Sequence, residues 1–124
     1  MMAPAVFKKC SCGKTWASRT AFLKDATVNL IGYQVHFEEL QEGFFLFNHL
    51  IADCGTTLAV EVRDFVDLYS GPIFEERMTG SQACPGLCLH RESLERCAVQ
   101  CECAFVREVL QIVRNWPGRK GQAA

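Results

Sequence analysis

The sequence predicts an α+β fold: a small antiparallel β-sheet, made of an N-terminal ribbon and a hairpin, packed with a middle helix and a long C-terminal helix and stapled by metal. Three observations carry this expectation. Residues 31–37 alternate apolar and polar, and an apolar run at 44–50 follows after the polar connection EELQEG. Apolar residues recur at helical spacing over 58–69 and again over 94–116. Eight cysteines fall in a chain of 124 residues, five of them between Cys84 and Cys103. In a domain this short, a metal site supplies folding free energy that a modest core lacks.

Taken in order, Val6 and Phe7 lead into Cys10-Ser11-Cys12-Gly13-Lys14, where the glycine permits a tight turn, and Thr15-Trp16 lead out of it. Ser18 is placed to cap a brief helix through Phe22 and Leu23. Ile31, Tyr33, Val35 and Phe37 alternate with Gly32, Gln34 and His36 in the clearest strand, and Phe44 to Leu50 reads as its buried antiparallel partner. Leu58, Val62, Phe65 and Tyr69 suggest a middle helix capped by Thr56 or Thr57 and stopped by Ser70-Gly71-Pro72. Proline and glycine in Cys84-Pro85-Gly86-Leu87-Cys88 favour a turn. A long helix is expected from about Arg91 to Trp116, with Leu94, Ala98, Cys101, Phe105, Val109, Ile112 and Trp116 on one stripe. The chain reads as one domain. The ribbon, hairpin and middle helix occupy 1–72, the cysteine-rich turn and long helix 73–117, and a flexible tail 118–124.

Placed on that helix, Cys97 and Cys101 lie one turn apart on the same face, while Cys103 points about 160° away from Cys101. The turn at Cys84 and Cys88 can fold back against them. The expected first site is therefore Cys84, Cys88, Cys97 and Cys101, four thiolates suited to a closed tetrahedral zinc site. An iron–sulfur cluster uses the same four donors and is the alternative cofactor. Two disulfides, or thiols simply packed in the core, are the competing readings, although Pro85-Gly86 argues against the helix that a disulfide-zipped hairpin requires. Cys103 reads as a buried small residue, with a reactive thiol or a substitute ligand as its functional alternative.

A second site is expected near the N-terminus. Cys10-Ser11-Cys12-Gly13 resembles the knuckle of a zinc ribbon in its general chemistry, with one residue between the thiols where that knuckle has two. The expected set is Cys10, Cys12, His49 and Cys54, with His36 as the alternative imidazole and Asp53 near enough in sequence to orient it. Cofactor expectations are thus one or two zinc ions.

Other functions find less support. Formal net charge is −1. Residues 1–24 are basic with no acid, whereas 25–80 carry ten acids against Arg63 and Arg77. The basic ribbon with Phe7, Trp16 and Phe22 offers a route to single-stranded nucleic acid, but whole-chain charge disfavours a polyanion partner. The opposed charges allow, without requiring, pairing of two copies. No apolar stretch reads as a membrane span or export signal, so a cytoplasmic location with reduced cysteines is expected. Cys54 with His36 or His49 supplies the residue types of a thiol hydrolase, but no spacing selects catalysis over metal binding. Glu38, Glu39, Glu42, Glu75 and Glu76 read as a solvated face. The expectation is a small zinc-binding module that acts as a protein-interaction or regulatory accessory protein. The alternatives are an iron–sulfur or thiol redox carrier and a single-strand nucleic-acid binder.

Overall fold

The computed structural model describes residues 6–78, 80–82, 84–97 and 99–116; the expected tail at 118–124 lies outside them. The fold is α+β. A two-residue ribbon pairs β1 (Lys8–Lys9) with β2 (Thr15–Trp16), closed by the Gly13 turn at φ 101°. Helix α1 (Arg19–Lys24) follows, and the Ser18 side chain accepts the Ala21 N–H at 3.1 Å, the expected N-cap. A three-stranded antiparallel sheet then runs β3 (Val28–Gln34), β4 (Phe44–His49), β5 (Thr57–Glu61), in that spatial order. Helix α2 (Ala104–Arg114) ends the described chain.

The side-chain period of two organises the sheet. On β4, Phe45, Phe47 and His49 face the core, and Leu58 and Val60 of β5 stand opposite Phe47 and Phe45 on that same face. A chain of rings carries the core across to the ribbon. Phe45 and Phe47 both meet Phe65, Phe47 meets Phe22 of α1 with centroids 4.9 Å apart, and Phe22 meets Trp16. Val106, Val109, Leu110 and Val113 of α2, at helical spacing, join the same core.

Three expectations are corrected. The middle helix is absent: residues 57–61 form β5, followed by 3₁₀ turns at Val62–Asp64 and Val66–Leu68. Leu58, Val60 and Val62 satisfy a period of two as well as their neighbours satisfy 3.6, and the free edge of β4 decides for the strand. The phase of β3 also differs. A bulge leaves Ile31 unpaired between the Leu30–Phe47 and Gly32–Leu46 pairs, so Ile31 faces solvent while Val28, Leu30 and Tyr33 face the core.

The long C-terminal helix is shortened to eleven residues, Ala104–Arg114. Residues 91–97 and 99–103 are irregular, and Ala98 of the expected stripe lies outside the described residues. Backbone and side chains of this segment are engaged elsewhere. Met78 N–H donates to Cys101 Sγ, and Glu102 N–H donates to the Glu76 carbonyl at 2.8 Å. The Ser93 and Leu94 carbonyls accept from Arg107 and Gln111 of α2, each at 2.7 Å. These carbonyls are directed at side chains of a neighbouring helix rather than along an i→i−4 ladder of their own. The Arg91 carbonyl accepts the Tyr33 N–H at 2.8 Å and fastens this irregular segment onto the β3 bulge.

That junction explains Gly32. A Cβ there would stand 2.5 Å from the Arg91 carbonyl oxygen, so only glycine admits the strap. Gly32→Ala is expected to destabilise the fold by about 1–3 kcal/mol in urea unfolding. An unchanged midpoint would show that the strap does not rest on Gly32.

Candidate metal centre

Two turns bring four donor atoms together. The first is the ribbon turn, where the Cys10 N–H donates to the Lys14 carbonyl and the Gly13 N–H donates back to the Cys10 carbonyl, at 2.8 and 2.9 Å. This buries Cys10 and leaves Cys12 at the rim. The second joins β4 to β5. His49 N–H donates to the Thr56 carbonyl, and the His49 carbonyl accepts from Ile51 and Gly55. Asp53 and Gly55, both at positive φ, tighten this loop and turn Cys54 back toward His49. Ser11 and Thr56 share a side-chain hydrogen bond of 3.0 Å that ties one turn to the other.

The ligand atoms of Cys10, Cys12, His49 and Cys54 all lie within 4.8 Å of one another. His49 Nδ1 stands 3.4 Å from Cys10 Sγ, 3.6 Å from Cys12 Sγ and 3.5 Å from Cys54 Sγ, and Cys10 Sγ is 3.6 Å from Cys54 Sγ. A tetrahedral ion bonded at about 2.3 Å to sulfur and about 2.0 Å to nitrogen needs S···N edges of about 3.5 Å and S···S edges of about 3.8 Å. The spacing fits. This is a compact Cys₃His cluster, positioned to chelate a single divalent ion and built as part of the fold.

The imidazole is held from behind as well. His49 is 1% exposed, and Trp16 meets it edge-on with ring centroids 5.1 Å apart. Trp16 is fixed in turn by an Nε1–H···Oδ2 bond of 2.9 Å to Asp25, whose other oxygen accepts from Thr27. His36, the alternative imidazole, is elsewhere, with its Nδ1 accepting the Glu39 N–H.

The electrostatics favour anionic sulfur at two of the three thiols. Hydrogen bonds from the Thr56 side chain and backbone bring Cys54 down to about 6. The Cys12 backbone N–H and the His49 ring lower Cys10 against the opposing effect of burial. For Cys12, the Lys14 N–H favours the thiolate, but burial and the neighbouring sulfurs outweigh it and raise the thiol. Burial works against a charged His49, yet the adjoining Cys10 and Cys54 sulfurs leave it raised overall. Three thiols converging on one cation-ready nitrogen push protons apart; a divalent ion in their place releases those protons and neutralises the sulfurs.

The C-terminal cysteines are distributed differently from the expected quartet. Among the described residues, Cys10, Cys12, His49 and Cys54 are the one cluster of three or more such donors. Cys84 accepts the Gly86 N–H on the expected turn, where Gly86 has φ 76°. Cys88 is buried with its thiol bonded to Cys103, and that bond, followed by the adjacent Arg107, overcomes burial to bring Cys88 down to about 6. Cys101 is buried against Met78, and Cys97 is half-buried in the irregular segment. With Cys97 and residues 99–101 not helical, the shared helix face on which Cys97 and Cys101 were expected does not exist. None of the eight cysteines forms a disulfide.

The stacking platform expected for nucleic acid is also spent. Trp16 and Phe22 are buried, Phe7 packs against Phe22 and Phe65, and Lys8 donates its ammonium to the Ala59 carbonyl. Among the described residues no helix is long and apolar enough to cross a membrane. Sequence reading missed Thr56, whose hydroxyl and backbone set Cys54, and Arg107, whose burial no periodicity announces. No protein-family model, curated protein or solved structure matches the chain.

The thiol shifts have a direct readout. A lowered pKa in the folded state means Cys54 is largely thiolate at pH 7, whereas the raised Cys12 is largely thiol. In metal-free protein, iodoacetamide at pH 7 is expected to label Cys54 before Cys12 by peptide mass spectrometry, despite the greater exposure of Cys12. A divalent ion held in the cluster is expected to protect both. Faster labelling of Cys12 would contradict the Thr56 assignment.

Proposed function

We propose that the protein is a small zinc-binding module whose ion is a structural staple, and that the stapled domain serves as a protein-interaction or regulatory accessory protein in a reducing compartment, the cytoplasm. The observation that carries this reading is the near-tetrahedral set of edges around His49 Nδ1, 3.4–3.6 Å to three sulfurs. Four protein donors leave no open coordination position, which is the arrangement of structural rather than catalytic zinc. Three thiolates with one imidazole suit zinc among the abundant divalent ions.

The same geometry weighs against thiol catalysis. A nucleophile–base pair needs one sulfur on the imidazole and an approach for substrate. Here three sulfurs surround a single nitrogen that is itself buried. The iron–sulfur reading asks for a different donor set, commonly four thiolates.

The staple joins elements distant in sequence. Cys10 and Cys12 belong to the β1–β2 turn, and His49 and Cys54 to the end of β4 and the loop after it. Chelating the ion is expected to loosen the ribbon from the sheet. With free zinc about a thousandfold above Kd, the bound ion contributes about 4 kcal/mol.

Elemental analysis of protein purified without added metal is expected to give one zinc per chain. His49→Ala and Cys54→Ser are expected to lose it, and Cys84→Ser and Cys97→Ser to keep it. A second zinc removed by Cys84→Ser would restore the C-terminal quartet, and iron with a visible absorption band would replace the zinc reading by a redox one.

A further inference from the structure

Arg107 is fully buried on α2, and among the described residues no carboxylate lies within salt-bridge distance of it. One guanidinium nitrogen is satisfied, donating to the Ser93 carbonyl at 2.7 Å. Nε and Nη2 close no hydrogen bond, and the Tyr33 hydroxyl, under whose ring the guanidinium sits at 5.4 Å, is likewise unpartnered. A buried cation without an anion carries a desolvation penalty that favours an anion beside it. The group beside it able to become an anion is the Cys88 thiol, which is bonded to Cys103 on the other side.

Cys88 is also approachable. A pocket of about 250 Å³, lined by Tyr33, Val35, Phe37, Cys88, Leu89 and Arg91 among others, opens onto Cys88 but not onto Cys103. Cys88 sits on the 3₁₀ turn after Gly86, and Cys103 immediately precedes α2, so the two sulfurs meet from segments fifteen residues apart.

We propose that Cys88, Cys103 and Arg107 form a peroxide-sensitive dithiol centre, separate from the metal cluster, in which Cys88 meets the oxidant and Cys103 resolves it to a disulfide. The oxidant class is a small hydroperoxide, hydrogen peroxide the simplest. The Cys88 thiolate attacks one peroxide oxygen and the O–O bond breaks, giving Cys88–SOH and hydroxide, which takes up the proton that Cys88 had released. Cys103 sulfur then displaces the hydroxyl of the sulfenic acid, forming the S–S bond and releasing water. In balance, two thiols lose two electrons and two protons, and one peroxide becomes two waters. Arg107 holds the attacking sulfur as an anion, with the N–H groups of Nε and Nη2 left without an oxygen or nitrogen acceptor. Oxidation removes that anion, so the disulfide leaves Arg107 buried and uncompensated and loosens the contact between α2 and the segment at 84–97.

The test uses the 124-residue chain, loaded with zinc and exposed to stoichiometric hydrogen peroxide at pH 7, followed by differential alkylation and peptide mapping. The expected first product is a Cys88–Cys103 disulfide with the zinc retained. In Cys103→Ser, the oxidation is expected to stop at Cys88 sulfenic acid, captured by dimedone. Arg107→Gln is expected to slow the reaction about tenfold. If Arg107→Gln fails to fold by circular dichroism, the Cys103→Ser trap decides alone. First oxidation at Cys10, Cys12 or Cys54 with release of zinc, pairing of Cys88 with another cysteine, or no dimedone adduct on Cys88 would each overturn the proposal.

Discussion

Much of the N-terminal half depends on where β4 places His49. The strand delivers Phe45, Phe47 and His49 to one face, so the imidazole arrives in the core as the third member of an apolar row. A buried imidazole needs partners. It finds them in three sulfurs supplied by two turns, with Trp16 packed on its flank. The ribbon is only two residue pairs long and would be marginal alone. Its hold on the sheet comes from the aromatic chain through Phe22 and from the donor cluster. The donor cluster and hydrophobic packing therefore act on the same junction, the first at its polar end and the second at its apolar end.

The C-terminal half is built on a different principle. Its irregular segment carries little secondary structure to satisfy backbone groups, and side chains of α2 do that instead, Arg107 and Gln111 reaching the carbonyls of 93–95. Arg77 adds a surface tie, pairing with Glu102 and reaching the Phe37 carbonyl. The Gly32 bulge and the Arg91 carbonyl complete the attachment to the sheet. A cation buried to serve as a backbone clamp leaves part of its hydrogen-bonding capacity unused, and this surplus lies beside the Cys88–Cys103 pair. The clamp and the proposed thiol chemistry both draw on that one burial.

The N-terminal site was legible in the sequence because each of its parts has a local signature. C-x-C before glycine marks a turn, and Cys54-Gly55 marks another. The alternation through Phe45 and Phe47 puts His49 on the core face, a phase argument that also separates it from His36. Strand β5 was less legible, because Leu58, Val60 and Val62 sit where helical and strand periods overlap and only the edge of β4 decides between them. The extent of α2 was hidden for a related reason. The sequence there carries a helical stripe, but the Leu94 carbonyl is taken by Gln111 of α2, the Cys101 sulfur by Met78 and the Glu102 N–H by Glu76, all tertiary partners without trace in the local pattern. The C-terminal quartet depended on that helix, and so did its geometry.

The central claim is that one ion is held by three sulfurs and one nitrogen. Zinc K-edge absorption fine structure on the purified chain reads this directly. The account predicts a first shell of three sulfurs at about 2.3 Å and one nitrogen at about 2.0 Å, with outer-shell scattering from a single imidazole. A shell of four sulfurs without imidazole scattering would contradict it and move the ion to the C-terminal cysteines.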